Sequence, residues 1–224
     1  MSAAERLWGD PAAKTLFVQL TDEHDLSLMD SEAEALRHLS GREDWCLLAV
    51  PVADWNSDLT PWTAPPAFGR QPFGDGAQRT LDRLEKELLP GLQTAGGRQL
   101  CLCGYSLAGL FALWSAYRTP LFSAVVAASP SVWYPGWIDY ARQRKPLAGS
   151  VYLSLGDREE KTRNPVMATV GEAIREQHRL LQEARIPCAL EWNPGNHFVQ
   201  SDLRVARGMA WVLAQQAQSH TDLP

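Results

Sequence analysis

The sequence predicts an α/β fold: a mostly parallel sheet of about six strands with helices on both faces. Two observations predict it. Short apolar runs of strand length alternate with segments of helical periodicity along the chain. Several of these runs, such as residues 45–52, are apolar throughout, which indicates strands covered on both faces. We expect one domain, residues 1–224, with its core at about 15–217.

The elements follow one another in a regular order. The predicted strands are residues 15–20, 45–52, 98–103, 124–128, 150–155 and 188–192. The predicted helices are one that opens near Ser31, with Glu34 at capping-box spacing, and residues 77–89, 106–117, 165–183 and 202–217. Residues 53–76, rich in Pro, Gly and Trp, form an insertion-like loop, and loops of this length are usually functional.

Composition and charge exclude several classes of protein. The chain has 45% hydrophobic and 21% charged residues and a net charge of −5, which is ordinary for a globular domain. No basic patch indicates a nucleic-acid partner or an anionic membrane. The first residues lack the pattern of a signal peptide and no run is long enough to span a bilayer, so we expect a cytoplasmic protein. The oligomeric state is left open.

The four cysteines all fall within predicted strands: Cys46, Cys101, Cys103 and Cys188. Their spacing is not that of a zinc site, and Cys101 and Cys103 should point to the same face of one strand. We interpret them as reduced core residues and predict no metal site. A Cys-x-Cys metal or redox site is a minor alternative.

A possible catalytic turn follows the third predicted strand. Residues 104–108 read Gly-x-Ser-x-Ala, a variant of the nucleophile elbow with Ser106 at its tip. Such a turn brings strand and helix so close that only small residues fit at Gly104 and Ala108. The N-terminus of the following helix directs the amide of Leu107 toward the same point, where an oxyanion would develop. The alternative is a structural strand-to-helix turn with an N-cap serine.

Acid and base candidates follow at two later strand ends. The order serine, acid, histidine is that of the α/β hydrolases, with His197 in a Gly-Asn-His turn after the last strand. Three carboxylates compete for the acid position: Asp157, Glu159 and Glu160. Glu159 is favoured because it lies three residues after the glycine that ends its strand. Asp157 could instead hold the turn, and Glu160 could pair with a neighbouring cation at the surface.

The oxyanion hole needs a second backbone amide, just after the first strand. Thr21 and Asp22 both have the required position, and the sequence does not choose between them.

These residues resemble the putative-esterase branch of the α/β-hydrolase superfamily, which includes esterase D and siderophore esterases. The resemblance extends from residue 15 to 215. The matching pieces are residues 58–62, 104–111, 129–133, 156–159 and 195–197. The chain departs from the family in Ala108 where glycine is usual, in the absence of a glycine-rich turn after the first strand, and in the missing amino-terminal hairpin.

The resemblance implies an α/β-hydrolase fold and a catalytic triad of Ser106 as nucleophile, Glu159 as orienting acid and His197 as base. It also implies a substrate pocket lined by three aromatic side chains: Tyr105, Trp62 and Trp133. We therefore expect a serine esterase that acts on a small-molecule ester without a cofactor. Two alternatives remain: an acyltransferase with the same triad, or a catalytically impaired binding module on the hydrolase scaffold.

Overall fold

A computed structural model describes residues 5–92 and 97–221, with side chains described through residue 218. Within these residues the chain forms one sheet of seven strands. The strands are β1 (Arg6–Gly9), β2 (Thr15–Thr21), β3 (Trp45–Pro51), β4 (Gln99–Tyr105), β5 (Ala124–Ala128), β6 (Ser150–Gly156) and β7 (Cys188–Asn193). Their order in the sheet is β1-β3-β2-β4-β5-β6-β7, and every pair is parallel except β1 with β3. The predicted α/β class and its mostly parallel sheet are confirmed, with seven strands rather than about six.

The helices cover both faces of the sheet. They are α1 (Glu23–Ser40), α2 (Trp55–Asp58), α3 (Ala77–Arg83), α4 (Ser106–Ser115), α5 (Trp137–Arg142), α6 (Val170–Glu183) and α7 (Ser201–Thr221). Helix α3 continues through a π-helical turn, Leu84–Leu88. Helices α1 and α7 pack together on one face, and α3, α4 and α6 contribute to the core on the other. Cys101 and Cys103 both lie on the α1–α7 face, as their spacing predicts.

The seventh strand, β1, is an addition to the prediction. It pairs antiparallel with the edge of β3, from Arg6 opposite Ala49 to Gly9 opposite Cys46. It has only four residues and is mostly exposed, so no apolar run marks it in the sequence. Because β3 lies between β1 and β2, these two consecutive strands form no hairpin with each other.

Helix α1 begins eight residues before the predicted start at Ser31. Its N-cap is Asp22, whose side chain accepts a hydrogen bond from the amide of Asp25 at 2.8 Å. Ser31 lies within the helix and donates to Asp202 on α7. The prediction was wrong because the polar residues after β2 read as a turn, whereas they are the acidic first turn of a helix. Only Asp22 therefore connects strand and helix.

Helix α7 lies unusually close to the sheet. A Cβ atom added at Gly208 would lie 2.3 Å from Val126 Cγ1 and 2.6 Å from Tyr152 Cδ1, so only glycine fits there. The close approach places Arg204, one turn earlier on the same face of the helix, underneath the carboxyl ends of the strands.

The sheet register brings four chain segments together at its carboxyl edge. Tyr105 at the end of β4 pairs with Ala128, and Gly156 at the end of β6 pairs with Asn193. The residues that follow these four strand ends therefore converge, as is general for parallel α/β sheets.

Candidate active site

The turn after β4 has the backbone that the sequence predicts. Ser106 has a φ of 56°, in the left-handed region that non-glycine residues rarely adopt. A Cβ atom at Gly104 would lie 2.3 Å from the carbonyl carbon and oxygen of Ala108, so this position admits only glycine. The chain therefore holds Ser106 in a costly conformation at the tip of a tight strand-to-helix turn.

Three side chains form a continuous hydrogen-bonded series at the sheet edge. Ser106 Oγ lies 3.0 Å from His197 Nε2. His197 Nδ1 lies 2.7 Å from Glu159 Oε2. The carboxylate is buried and the imidazole is partly exposed, so the series runs from the interior to the surface of the protein. The structure thus brings together the three residues that the sequence predicts.

The other carboxylate oxygen of Glu159 is also fully engaged. Oε1 accepts hydrogen bonds from Ser129 Oγ at 2.7 Å, from the Gly156 amide at 2.8 Å and from Arg204 Nη1 at 2.8 Å. Burial by itself raises the pKa of Glu159, but the hydrogen bond and charge of His197, with the bonds from Ser129 and Gly156, outweigh it and hold this pKa below 4.5. The carboxylate is ionised at neutral pH.

The two competing carboxylates have other partners. Asp157 accepts a hydrogen bond from the amide of Gly195 at 2.8 Å, which ties the β6 turn to the turn that carries His197. Glu160 pairs with Arg175 on α6 at 3.0 Å, rather than with a cation next to it in the sequence. Neither forms a hydrogen bond with His197, whose Nδ1 is bonded to Glu159.

Arg204 is a central member of the site that the sequence analysis missed. Its side chain is buried beneath the strand ends and donates to Tyr105, Ser129 and Glu159 through Nη1, at 3.2, 2.9 and 2.8 Å. Nη2 donates to the carbonyls of Pro194 and Asn196 at 3.3 and 2.9 Å. One guanidinium therefore fixes the acid and the turn before His197. In the sequence, Arg204 lies four and eight residues before Gly208 and Val212, so all three fall on one face of the last predicted helix. An arginine on that face is the signal that could have identified it.

Tyr105 supports the histidine turn from below. Its hydroxyl donates to the carbonyl of His197 at 2.6 Å and accepts from Arg204. Burial, with a smaller contribution from the charge of Glu159, raises the pKa of Tyr105 to about 12, so the hydroxyl keeps its proton. The resemblance implies a pocket-lining role, but this side chain is 6% exposed and its contacts are to the turn.

A cavity of about 470 Å³ lies beside His197. Its lining includes Trp133, Met167 and Phe198 together with the cations Arg158, Lys161 and Arg163. Of the three predicted pocket residues, Trp133 borders this cavity. Trp62 does not border this cavity: its ring packs on Tyr134 and Tyr140, and Nε1 donates to Pro135 at 2.8 Å. Its place in a Pro- and Gly-rich segment suggested a pocket, but an aromatic cluster covers it instead.

The expected oxyanion residues lie in two places, at the start of α4 and at the end of β2. Leu107 is the second residue of α4, where amides have no partner within the helix. Thr21 and Asp22 border a second cavity of about 640 Å³ at the ends of β2 and β3. Ser131 contributes a further hydroxyl, with Oγ 3.4 Å from Ser106 Oγ.

Among the described residues, no group of three or more His, Cys, Asp or Glu side chains is arranged to hold a metal ion. None of the helices in this part of the chain is long and apolar enough to cross a membrane.

The sequence matches one known protein family. The sequence profile of one family, described as Putative esterase, matches residues 31–200, which is more than half of the chain. No curated protein matches the sequence.

Solved structures share the fold at low sequence identity. An IroE-like serine hydrolase from Shewanella oneidensis superposes with a TM-score of 0.72 and 17% identity, over 94% of this chain and 75% of its own. Siderophore hydrolase EstB from Aspergillus nidulans superposes with a TM-score of 0.69 and 19% identity, over 90% of this chain and 83% of its own. The enterobactin esterase FES from Shigella flexneri superposes with a TM-score of 0.66 and 16% identity, over 97% of this chain and 60% of its own. This chain therefore spans less than two thirds of that protein.

Proposed function

The chain belongs to the Putative esterase family, and from this premise we propose that it hydrolyses a small-molecule carboxylic ester through an acyl-enzyme on Ser106. Ester hydrolysis itself follows from the family. The assignment of residues is supported above all by one observation: the series of hydrogen bonds from Ser106 Oγ through His197 to Glu159, at 3.0 and 2.7 Å.

The reaction divides into two half-reactions with the same groups. His197 Nε2 accepts the proton of Ser106 as Oγ attacks the ester carbonyl, and then gives that proton to the leaving alkoxide as the C–O bond breaks. In the second half a water gives its proton to His197 and attacks the acyl-enzyme, and the proton returns to Ser106 as the acid leaves. Glu159 accepts from Nδ1–H throughout and stabilises the imidazolium that forms twice.

Backbone directions support Asp22, not Thr21, as the second oxyanion donor. The carbonyl of Thr21 accepts from Val52 at 3.0 Å, so the peptide groups of Thr21 face β3. Asp22 continues the extended conformation, and successive residues of a strand direct their amides to opposite sides. Its amide therefore faces β4 and the elbow. Pairing between β2 and β4 ends at Gln19 and Cys103, so β4 does not use that amide.

The carboxylate of Asp22 does not oppose this role. It is turned into the first turn of α1, where it accepts from Asp25 at 2.8 Å. We assign the oxyanion hole to the amides of Leu107 and Asp22, which would stabilise the tetrahedral intermediates by about 3–4 kcal/mol per donor.

A covalent probe tests the mechanism directly. We expect intact-mass spectrometry to show a single fluorophosphonate adduct on the wild-type protein, and none on Ser106→Ala or His197→Ala. The wild type should also hydrolyse p-nitrophenyl acetate, and both variants should not. Ser131→Ala is the matched control, because it removes a neighbouring hydroxyl and should leave the adduct in place. An unmodified but folded wild-type protein would contradict the proposal.

A further inference from the structure

The cavity beside His197 has an unbalanced positive charge. Arg158, Lys161 and Arg163 line it within six residues of sequence, and none of their side chains forms a hydrogen bond or an ion pair with the described residues. The neighbouring carboxylates are already engaged by other groups. Glu159 bonds His197 and Arg204, Glu160 bonds Arg175, and Asp157 bonds the amide of Gly195.

This excess contrasts with the rest of the molecule. The chain has a net charge of −5. The cavity at the ends of β2 and β3 has more acidic than basic side chains in its lining: Asp22, Glu23 and Asp58 against Arg79 and Arg83. A third cavity, of about 310 Å³, is also acidic: Asp139, Glu172 and Glu176 against Arg142. Of these three cavities, only the one beside His197 has more basic than acidic side chains in its lining, Arg158, Lys161 and Arg163 against Glu159, and a concave site with an excess of one sign of charge focuses its field on a ligand.

The same cavity has an apolar wall. Trp133 and Met167 line it from the segments after β5 and β6, and Val170 lines it from the start of α6. Phe198 lies next to His197 in the sequence with 89% of its surface exposed. Together these four side chains form an apolar wall that a ligand in the cavity would contact. The volume of about 470 Å³ is that of a typical small-molecule site.

We propose that this cavity binds the anionic part of the substrate, so that the preferred esters join an apolar body to a carboxylate or phosphate group. The apolar body contacts Trp133 and Phe198, and the anion lies among Arg158, Lys161 and Arg163. The two arginines supply planar donors that match a carboxylate or phosphate. This inference rests on the proposed function, since the cavity receives a part of the ester only if His197 acts at the reaction centre.

Two pairs of esters test the charge preference on either side of the scissile bond. The first pair, 4-acetoxybenzoate and its methyl ester, differs in the charge of the alcohol part. The second pair, mono-4-nitrophenyl glutarate and its methyl ester, differs in the charge of the acyl part. In at least one pair we expect kcat/KM for the anion to exceed that for the neutral ester about tenfold or more at low ionic strength. The pair that shows it identifies the part that the cavity binds.

A charge-matched pair of variants assigns the effect to the cavity. In Arg158→Gln/Lys161→Gln/Arg163→Gln we expect the ratio of anionic to neutral kcat/KM to fall below about threefold. The control Arg6→Gln/Lys145→Gln/Arg185→Gln removes the same number of cations at exposed positions outside the three cavities and should keep the wild-type ratio. Added 0.5 M NaCl should lower the ratio of the wild type and leave that of the first variant, because salt screens exposed charges.

The outcomes separate the two proposals. If the wild type hydrolyses the neutral esters but prefers neither anion, or if both triple variants change the ratio equally, the charge inference is overturned and the esterase mechanism stands. If no ester is hydrolysed and no fluorophosphonate adduct forms, the proposed function fails, and this inference fails with it.

Discussion

At the scale of single residues, Arg204 carries a charge where water does not reach. It is 1% exposed and is compensated by one buried carboxylate, Glu159, with four further acceptors around it. Removing one partner of such a pair leaves an unpaired buried charge, which is far more costly than the net stabilisation from the pair. The side chain thus couples folding of the carboxyl edge to ionisation of Glu159, which is hydrogen-bonded to His197.

We expect Arg204→Met to lower kcat/KM about 100-fold through misplacement of Glu159 and His197, and to destabilise the fold by about 3–5 kcal/mol. Without the guanidinium the Glu159–His197 pair loses the cation 2.8 Å from Glu159 Oε1 and binds a proton more readily, so the acidic limb of the pH–kcat/KM profile, which reports protonation of this pair, should move to higher pH. A merely structural residue would not move that limb. Arg204→Lys, which keeps the charge, should keep the limb near its wild-type position, and should serve if the methionine variant does not fold.

The neighbouring carboxylates provide a matched series for the acid. Glu159→Gln should lower kcat by about 10³- to 10⁴-fold, because an amide in place of the carboxylate no longer stabilises the imidazolium or selects its tautomer. Glu160→Gln should remain near the wild-type kcat, since it loses only an exposed pair with Arg175. A kcat for Glu160→Gln as low as that of Glu159→Gln would contradict the assignment of the acid.

Residue type and order along the chain select the three residues that the structure brings together. Ser106, Glu159 and His197 follow strand ends in a recognisable order. For Arg204 and Trp62 the sequence was not sufficient to predict the environment of the side chain. An arginine on an apolar helix face cannot be linked to an acid 45 positions away without the packing of α7, and a loop tryptophan reads the same whether it faces a cavity or other aromatic rings.

At the scale of elements, the close packing of α7 on β5 and β6 determines where Arg204 lies. Gly208→Ala would place a methyl group 2.3 Å from Val126 Cγ1, so the helix has to move outward. We expect a loss of stability of about 1–3 kcal/mol from overpacking and a lower kcat, because the shift is transmitted to the acid and the histidine turn. Urea unfolding and ester kinetics measure the two effects.

Gly91→Ala is the control for that substitution. A Cβ atom there meets nothing within 4 Å, so both the urea midpoint and kcat should stay close to wild type. Equal losses in the two variants would show that close packing at Gly208 is not the cause.

The boundaries of elements were harder to predict than their existence. Five of the six parallel strands were found because each is a largely buried apolar run, whereas β7 is mostly half-buried and was found from its length and its place in the alternation of strands and helices. The start of α1 was predicted at Ser31 because Ser31 and Glu34 have the spacing of a capping box. The helix instead begins after its N-cap Asp22, and packing of Leu26 and Met29 against the core stabilises the turns before Ser31. Strand β1 has only edge pairing with β3 to define it, and that partner is distant in sequence.

At the scale of the whole molecule, the buried carboxyl groups make opposite contributions to the pH dependence of the free energy of unfolding. Burial, together with the charges of Asp25 and Asp202, raises the pKa of Glu32 well above 4.5, against a hydrogen bond from Gln19. Burial and the charge of Asp22 raise the pKa of Asp25 to about 7, against the charge of His197. Glu159 is the reverse case, with its pKa held below 4.5.

The signs determine the expected pH profile of stability. Above about pH 4.5 the unfolded chain loses the proton of Glu32 while the folded protein keeps it, so the free energy of unfolding falls as pH rises toward the folded pKa. Asp25 acts in the same direction between about pH 4 and its folded value of about 7. The ionised Glu159 stabilises the fold above pH 4.5, and this contribution disappears as pH falls through its lowered pKa.

We therefore expect the wild-type melting temperature to fall by several degrees between pH 5 and pH 8, and Glu32→Gln to remove much of that fall. Glutamine has the shape of the protonated acid, is neutral at every pH, and retains an acceptor for Gln19 Nε2, which lies 3.1 Å from Glu32 Oε2. At pH 5 the variant and the wild type should melt at similar temperatures; at pH 8 the variant should melt higher. Glu87→Gln, at an exposed position on the π-helical turn, is the control and should follow the wild-type curve. Parallel curves for Glu32→Gln and the wild type would show that Glu32 loses its proton equally easily in the folded and unfolded states.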